Sequence, residues 1–196
     1  MKKVIGLFGS PRRGGNSEKL LDRFLEGAQD AGAEIDQVHV AELGIRGWTP
    51  EVECADRGLD ASDDPFQQLS QDLIATDVIA VASPVYFRNV PAQLKGVIDR
   101  GQCQWIRKYV DKEALPSSSS GHDRRRGVLI STGGNEREHF AGTISTIKSF
   151  FDVYETDYWG QLLFGDVDAK DEIADEQMAL QEAYDLGFRA VAEAWD

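Results

Sequence analysis

The chain of 196 residues is predicted to form one α/β domain, residues 1–196, in which a parallel sheet of five strands is sandwiched between two layers of helices. Three observations predict it. Short apolar runs, such as V-I-G-L-F at 4–8 and V-I-A-V-A at 78–82, alternate about five times with stretches of helical spacing. These runs are continuously apolar instead of alternating, as in strands buried on both faces. Three strands also run directly into polar or small-residue loops of unusual composition, at 9–17, 83–90 and 131–136.

Residues 3–9 read as the first strand, ended by a turn signal. A helix over 17–31 follows, with Leu20, Leu21, Phe24, Leu25 and Ala28 on one stripe and Gly32 as its stop. Residues 34–40 read as a more polar strand suited to a sheet edge, and 44–62 as a loop. Asp64 and Pro65 open a second helix, 64–75. The third strand is 77–82. Pro91 opens a third helix that ends near Gly101 or continues toward Tyr109. Residues 111–126, with four consecutive serines and then Arg124, Arg125 and Arg126, read as an exposed connection whose arginines form a solvated charge run. The remaining elements are a strand at 128–131, a helix at 142–151, a strand at 158–164 and a long helix at 171–195. Right-handed crossovers then favour the flavodoxin-like order 2-1-3-4-5. In such sheets ligands lie beyond the carboxyl ends of the strands, near the switch point between strands 1 and 3. The fold would therefore gather the three unusual loops at one edge.

Composition narrows the partners. There are 21 basic and 34 acidic residues, a net charge of −13. This argues against a nucleic-acid or anionic-membrane binder, which would want a basic face. No apolar stretch is long enough to span a membrane and no signal-peptide pattern opens the chain. Only two cysteines occur, Cys54 and Cys103, so no disulfide framework is implied and the chain reads as cytoplasmic. His39, His122 and His139 lack metal-ligand spacing, and no metal site is expected.

The loop G-S-P-R-R-G-G-N-S, 9–17, carries the first chemistry. Strand, glycine-rich turn and helix deliver backbone N–H groups and a helix N-terminus to an anion. Arg12 and Arg13 add forked donors suited to phosphate, and Asn16 and Ser17 can cap the helix or turn to a ligand. It is not a P-loop, which would need Lys at Gly15 and Ser or Thr at Asn16, and it lacks the G-x-G-x-x-G dinucleotide fingerprint. The second motif is S-P-V-Y-F, 83–87, followed by R-N-V-P-A-Q-L-K. A proline after a buried strand forces an extended exit, and two aromatics on the loop call for a cover such as a flat heteroaromatic ring. The third is S-T-G-G-N-E, 131–136, whose small residues let backbone N–H groups approach a ligand.

The three motifs together resemble the NADPH-dependent FMN reductase family, which includes the iron–sulfur flavoproteins. The resemblance implies that Ser10, Arg12, Asn16 and Ser17 bind the FMN phosphate, that Pro84, Val85, Tyr86 and Phe87 hold the isoalloxazine with Asn89 as a weaker candidate, and that Thr132, Gly133 and Gly134 lie beside its pyrimidine side. Arg88 stands where the family often has a small residue. The iron–sulfur members carry a compact cysteine cluster in the loop after strand 2. Here that loop offers only Cys54, and a four-iron cluster normally takes four thiolates, so a flavin-only protein is expected, with Cys54 a small residue of no special role. Trp48 in the same loop can cover a flavin or a subunit interface. Arg124–126, Arg137 and His139 are minor candidates for nicotinamide phosphate or substrate.

The implied function is an NAD(P)H-dependent oxidoreductase that binds FMN tightly but non-covalently, uses NADPH or NADH as co-substrate and reduces a quinone, a flavin or a similar small-molecule electron acceptor. Homodimers or homotetramers are implied too, with no nucleic acid or membrane partner. No side chain is assigned as catalytic, since hydride transfer to and from a flavin needs no general base. The alternatives are an electron-carrier flavoprotein and a flavin-binding redox sensor.

Overall fold

The structure is a computed structural model and describes residues 1–49, 54–55, 59–60, 64–134 and 140–195. The first apolar run becomes β1 (Lys3–Phe8), an interior strand of the sheet with Val4 to Phe8 buried. α1 (Asn16–Asp30) packs the expected stripe, with Leu20, Leu21, Phe24, Leu25 and Ala28 all buried. Each large apolar side chain so buried contributes roughly 1.5–3 kcal/mol. β2 (Glu34–His39) is the sheet edge, which its mixed polar pattern foretold. Two very short strands, β3 (Cys54–Ala55) and β4 (Leu59–Asp60), form a separate antiparallel ribbon inside the expected loop.

After this insertion come α2 (Phe66–Ala75), β5 (Val78–Pro84), α3 (Ala92–Arg100) and α4 (Gln102–Trp105), which runs on as a π-helical turn at Ile106–Asp111. The chain closes with β6 (Arg125–Thr132), α5 (Ala141–Val153), β7 (Thr156–Phe164), a 3-10 turn at Glu172–Asp175 and α6 (Gln177–Ala192). The main sheet is parallel throughout, in the order β2-β1-β5-β6-β7. Counted over its five strands this is 2-1-3-4-5, the predicted flavodoxin-like topology.

The core has two halves, one on each face of the sheet. One packs α1 and α6 on Val4, Phe8, Val78, Ala80, Val128 and Ile130; the other packs Phe66, Leu69, Leu94, Ile147, Phe150 and Phe151 against Ile5, Leu7, Ile79, Val81 and Leu129. Helices α1 and α6 approach to backbone contact. A β-carbon on Gly27 would lie 2.0 Å from Tyr184 O, and one on Gly187 would lie 1.9 Å from Phe24 O. Only glycine at both positions permits this separation.

Three sequence expectations are corrected. The cysteines are not independent: Cys54 and Cys103 form a disulfide with Cα atoms 5.3 Å apart. It ties the β3–β4 ribbon to the start of α4, where Cys103 is buried. The cytoplasmic expectation therefore loses the support it drew from free cysteines.

The connection 111–126 is anchored, not loose. The Asp77 carboxylate, fully buried at the start of the third sheet strand, accepts hydrogen bonds from Ser118 Oγ, Ser120 Oγ and the Lys3 backbone N–H. The serine run supplies donors that a buried carboxylate requires.

Arg125 and Arg126 are buried and belong to β6, so they are not a solvated charge run. Arg125 donates to Ile74 O, Pro116 O and Tyr154 O. Arg126 donates to Ala190 O and Ala194 O, with its guanidinium over the rings of Trp159 and Trp195. Both sit at the amino end of β6, opposite the edge where the three loops meet. They knit helix ends together there.

Candidate cofactor site at the carboxyl edge of the sheet

The ends of β1, β5, β6 and β7 are fastened to one another. Gly9 N–H donates to Ala82 O at 2.8 Å, Val85 N–H to Thr132 O at 2.9 Å, and Gly133 N–H to Phe164 O at 3.0 Å. Ser131 Oγ also donates to Ser83 O at 2.7 Å. This cross-bonding fixes the three loops relative to each other.

Between them lies a cleft. It is lined by Ser10, Arg12, Gly15, Asn16 and Ser17 from the first loop, Pro84, Val85 and Tyr86 from the second, and Thr132, Gly133 and Gly134 from the third. Ten of the twelve residues named from the sequence thus meet around one space; Phe87 and Asn89 do not line it. Asn135, Glu136, Arg137 and His139 lie outside the described residues.

The first loop offers an anion a set of donors. The N–H groups of the first turn of α1 have no intrahelical acceptor. Arg12 lines the cleft, and its backbone N–H donates to Ser10 Oγ at 3.1 Å. Arg13 faces away. Its guanidinium pairs with Glu42 at 2.6 Å, reaches Glu18 at 4.0 Å and donates to the His39 ring, which stacks on Phe8. The hydrogen bond to Glu42 holds Arg13 above its ordinary pKa, and the same bond holds Glu42 below the usual carboxylate range.

Asn16 is engaged within the protein. Its amide nitrogen donates to Ala169 O at 2.8 Å and its carbonyl oxygen accepts from Ile173 N–H at 3.3 Å. Its side chain therefore fastens the segment after β7.

The second loop is a two-residue turn. Tyr86 and Asn89 exchange backbone hydrogen bonds of 2.8 and 3.0 Å around Phe87 and Arg88, whose φ angles are +47° and +62°. Two successive non-glycine residues in the left-handed region cost about 1–2 kcal/mol each. Such strain is characteristic of functional loops. Asn89 Oδ1 accepts from Val90 N–H and from Thr146 Oγ1, so this side chain stabilises the turn. Phe87 is fully exposed and Tyr86 is 43% exposed.

A fourth wall was missed by the sequence reading. Val167 and Asp168, after β7, also line the cleft, and Val167 N–H donates to Gly133 O at 3.0 Å. The signal that could have found them is topological. The loop after the last strand leaves the same sheet edge as the other three.

The residues fit a flavin mononucleotide. A helix N-terminus beside Arg12, which has no ion-pair partner among the described residues, can take a phosphate. The apolar exit at 84–86 and the small residues Gly133 and Gly134 can flank a flat ring with backbone polar groups at its edge. The described residues contain no grouping of three or more His, Cys, Asp or Glu able to hold a metal. No helix among them is long and apolar enough to cross a membrane.

Comparison with known proteins agrees. The chain is 29% identical over 194 residues to an iron-sulfur flavoprotein of Archaeoglobus fulgidus, an alignment covering 99% of this chain and 80% of that protein. It is 27% identical over 183 residues to an FMN-dependent NADH:quinone oxidoreductase of Cereibacter sphaeroides, covering 85% and 86%. Among solved structures it resembles the NAD(P)H:quinone oxidoreductase from Methanothermobacter marburgensis, with TM-score 0.66, 18% identity and coverage of 99% and 98%. The family model for NADPH-dependent FMN reductases matches residues 2–158, and the chain belongs to that family.

Proposed function

We propose that this chain is an FMN-dependent NAD(P)H oxidoreductase that reduces a quinone, a flavin or a similar small acceptor, carried on one flavodoxin-like domain. The observation that carries the reading is the convergence of the loops after β1, β5 and β6 on one cleft. Family membership and the quinone oxidoreductase relatives support it. When bound in this cleft, FMN would supply the redox chemistry between nicotinamide and acceptor.

The protein's part is binding and exclusion. In this reading Arg12, Ser10, Ser17 and the first-turn N–H groups of α1 hold the phosphate, with Asn16 contributing through its backbone. Pro84, Val85 and Tyr86 flank the ring. Thr132, Gly133 and Gly134 would lie along its pyrimidine edge; Gly133 N–H is given to Phe164 O, so Gly134 N–H is the candidate donor to the charge that develops on reduction. Phe87 stands outside the cleft. As a fully exposed aromatic it suits the entrance or a contact between subunits of a homodimer or homotetramer. NADPH and NADH are both co-substrates of the proposed class, and dependence on either favours the cytoplasm.

The protein is proposed to work without an iron–sulfur cluster. Both of its cysteines are joined to each other, which leaves no thiolate for iron. Protein purified without oxygen should contain FMN but neither iron nor acid-labile sulfide. Stoichiometric iron would contradict this.

In this reading one open flavin face serves nicotinamide and acceptor in turn. Steady-state kinetics with a quinone should therefore be ping-pong, with parallel double-reciprocal lines as acceptor concentration is varied. Arg88→Ala should change the nicotinamide KM more than it changes FMN retention, because a side chain at the rim of the second loop would meet the diffusing nucleotide and not the fixed flavin. Intersecting lines would show that both substrates bind together and would overturn the shared-face account.

A further inference from the structure

We infer that Lys170, on the loop between β7 and α6, is a second cation for the phosphate of the bound flavin nucleotide. The inference rests on the FMN reading above. Its starting point is charge. A phosphate monoester carries about −1.5 to −2 at neutral pH, and the chain around it is strongly acidic. Among the described residues, the first loop contributes one cation without an ion-pair partner, Arg12. Arg13 is paired with Glu42, and Lys19 is paired with Asp171 at 2.9 Å. The carboxylates nearby include Glu18, which accepts from Gly14 N–H at 3.0 Å, Asp168 on the cleft wall, and Asp171 and Glu172 on the same loop as Lys170.

Lys170 supplies the missing charge. Gly14 has φ +65°, which opens the loop at that point, and a β-carbon built there would lie 3.9 Å from Lys170 Cε and 4.0 Å from Nζ. The ammonium therefore sits over the glycine turn that leads into α1. It neighbours Asp171 electrostatically, yet forms no ion pair among the described residues.

Its position is imposed by the fold. Asn16 grips the loop at Ala169 O and Ile173 N–H, on either side of Lys170. Glu172 closes the loop on itself by accepting from Asp168 N–H at 2.9 Å and Ala169 N–H at 3.0 Å. Asp166 and Asp171, with φ of +56° and +70°, turn the chain sharply at each end. A lysine is thus presented to the phosphate loop by an asparagine that belongs to it, an arrangement that joins two segments more than 150 residues apart.

The test is fluorescence titration of apoprotein with FMN and with riboflavin, which lacks the phosphate, at low salt. Wild type should prefer FMN. Lys170→Gln should weaken FMN about tenfold or more, as for loss of one charge-assisted contact, and leave riboflavin unchanged; Lys170→Arg should restore most of the preference. Lys170 is exposed, so these variants should fold. Wild-type affinity for FMN in Lys170→Gln would overturn the inference alone. Failure of wild type to bind FMN, or to prefer it over riboflavin, would overturn the FMN reading and the inference with it.

Discussion

Cys54→Ser should lower the stability of the oxidised protein by about 4 kcal/mol, as the chain-entropy model gives for a cross-link closing a loop of this length. The disulfide spans 49 residues and ties the β3–β4 ribbon to the start of α4. Without it, the insertion is held at its ends by the buried pair of Arg100 with Asp64, at 2.6 Å, and by Arg100 donating to Arg46 O at 2.9 Å. Equilibrium denaturation with and without a thiol reductant checks this. Wild type should lose stability on reduction to about the level of the variant, and the variant should not respond. Neither cysteine lines the cleft, so the flavin spectrum of Cys54→Ser should match wild type. Equal midpoints for oxidised wild type and variant would show that the cross-link contributes nothing.

Arg12→Ala should weaken FMN binding by about 1.5–3 kcal/mol, roughly tenfold to a hundredfold, the worth of a charge-assisted hydrogen bond to phosphate. Arg13→Ala should change it far less. The two arginines are adjacent in sequence, but the structure separates them. Arg12 lines the cleft, whereas Arg13 is held by Glu42 and His39 on the far side of the loop. Retention of flavin during dialysis distinguishes them. Equal retention in wild type and Arg12→Ala would remove Arg12 from the site.

Much of this was legible in the sequence because its signals are local. Continuous apolar runs and helical stripes specify buried strands and amphipathic helices by periodicity alone, and right-handed crossovers then leave few sheet orders. The three loops could be placed together because parallel strands present their carboxyl ends at one edge. What escaped were features whose partners are distant. Nothing around Cys54 points to Cys103, because the contact depends on the path of the inserted ribbon. The serines at 117–120 look like a linker until Asp77 is seen buried beneath them. Arg125 and Arg126 look solvated because their acceptors are backbone carbonyls of other elements, which leave no trace in composition. Asn16 matches a phosphate-loop pattern, yet its side chain is engaged with a segment the sequence reading took as the start of the last helix. That helix begins only at Gln177, and Val167 and Asp168, directly after β7, build the fourth wall of the cleft.

The central claim is that this chain binds FMN and lets nicotinamide reduce it. The most direct test is anaerobic mixing of the purified, FMN-loaded protein with NADH or with NADPH in a single turnover, followed by absorbance of the flavin. The account predicts that at least one of the two bleaches the bound flavin without any acceptor present, and that adding a quinone restores the oxidised spectrum. Flavin that remains oxidised with both nucleotides would contradict the reductase account and leave an electron carrier reduced by another protein.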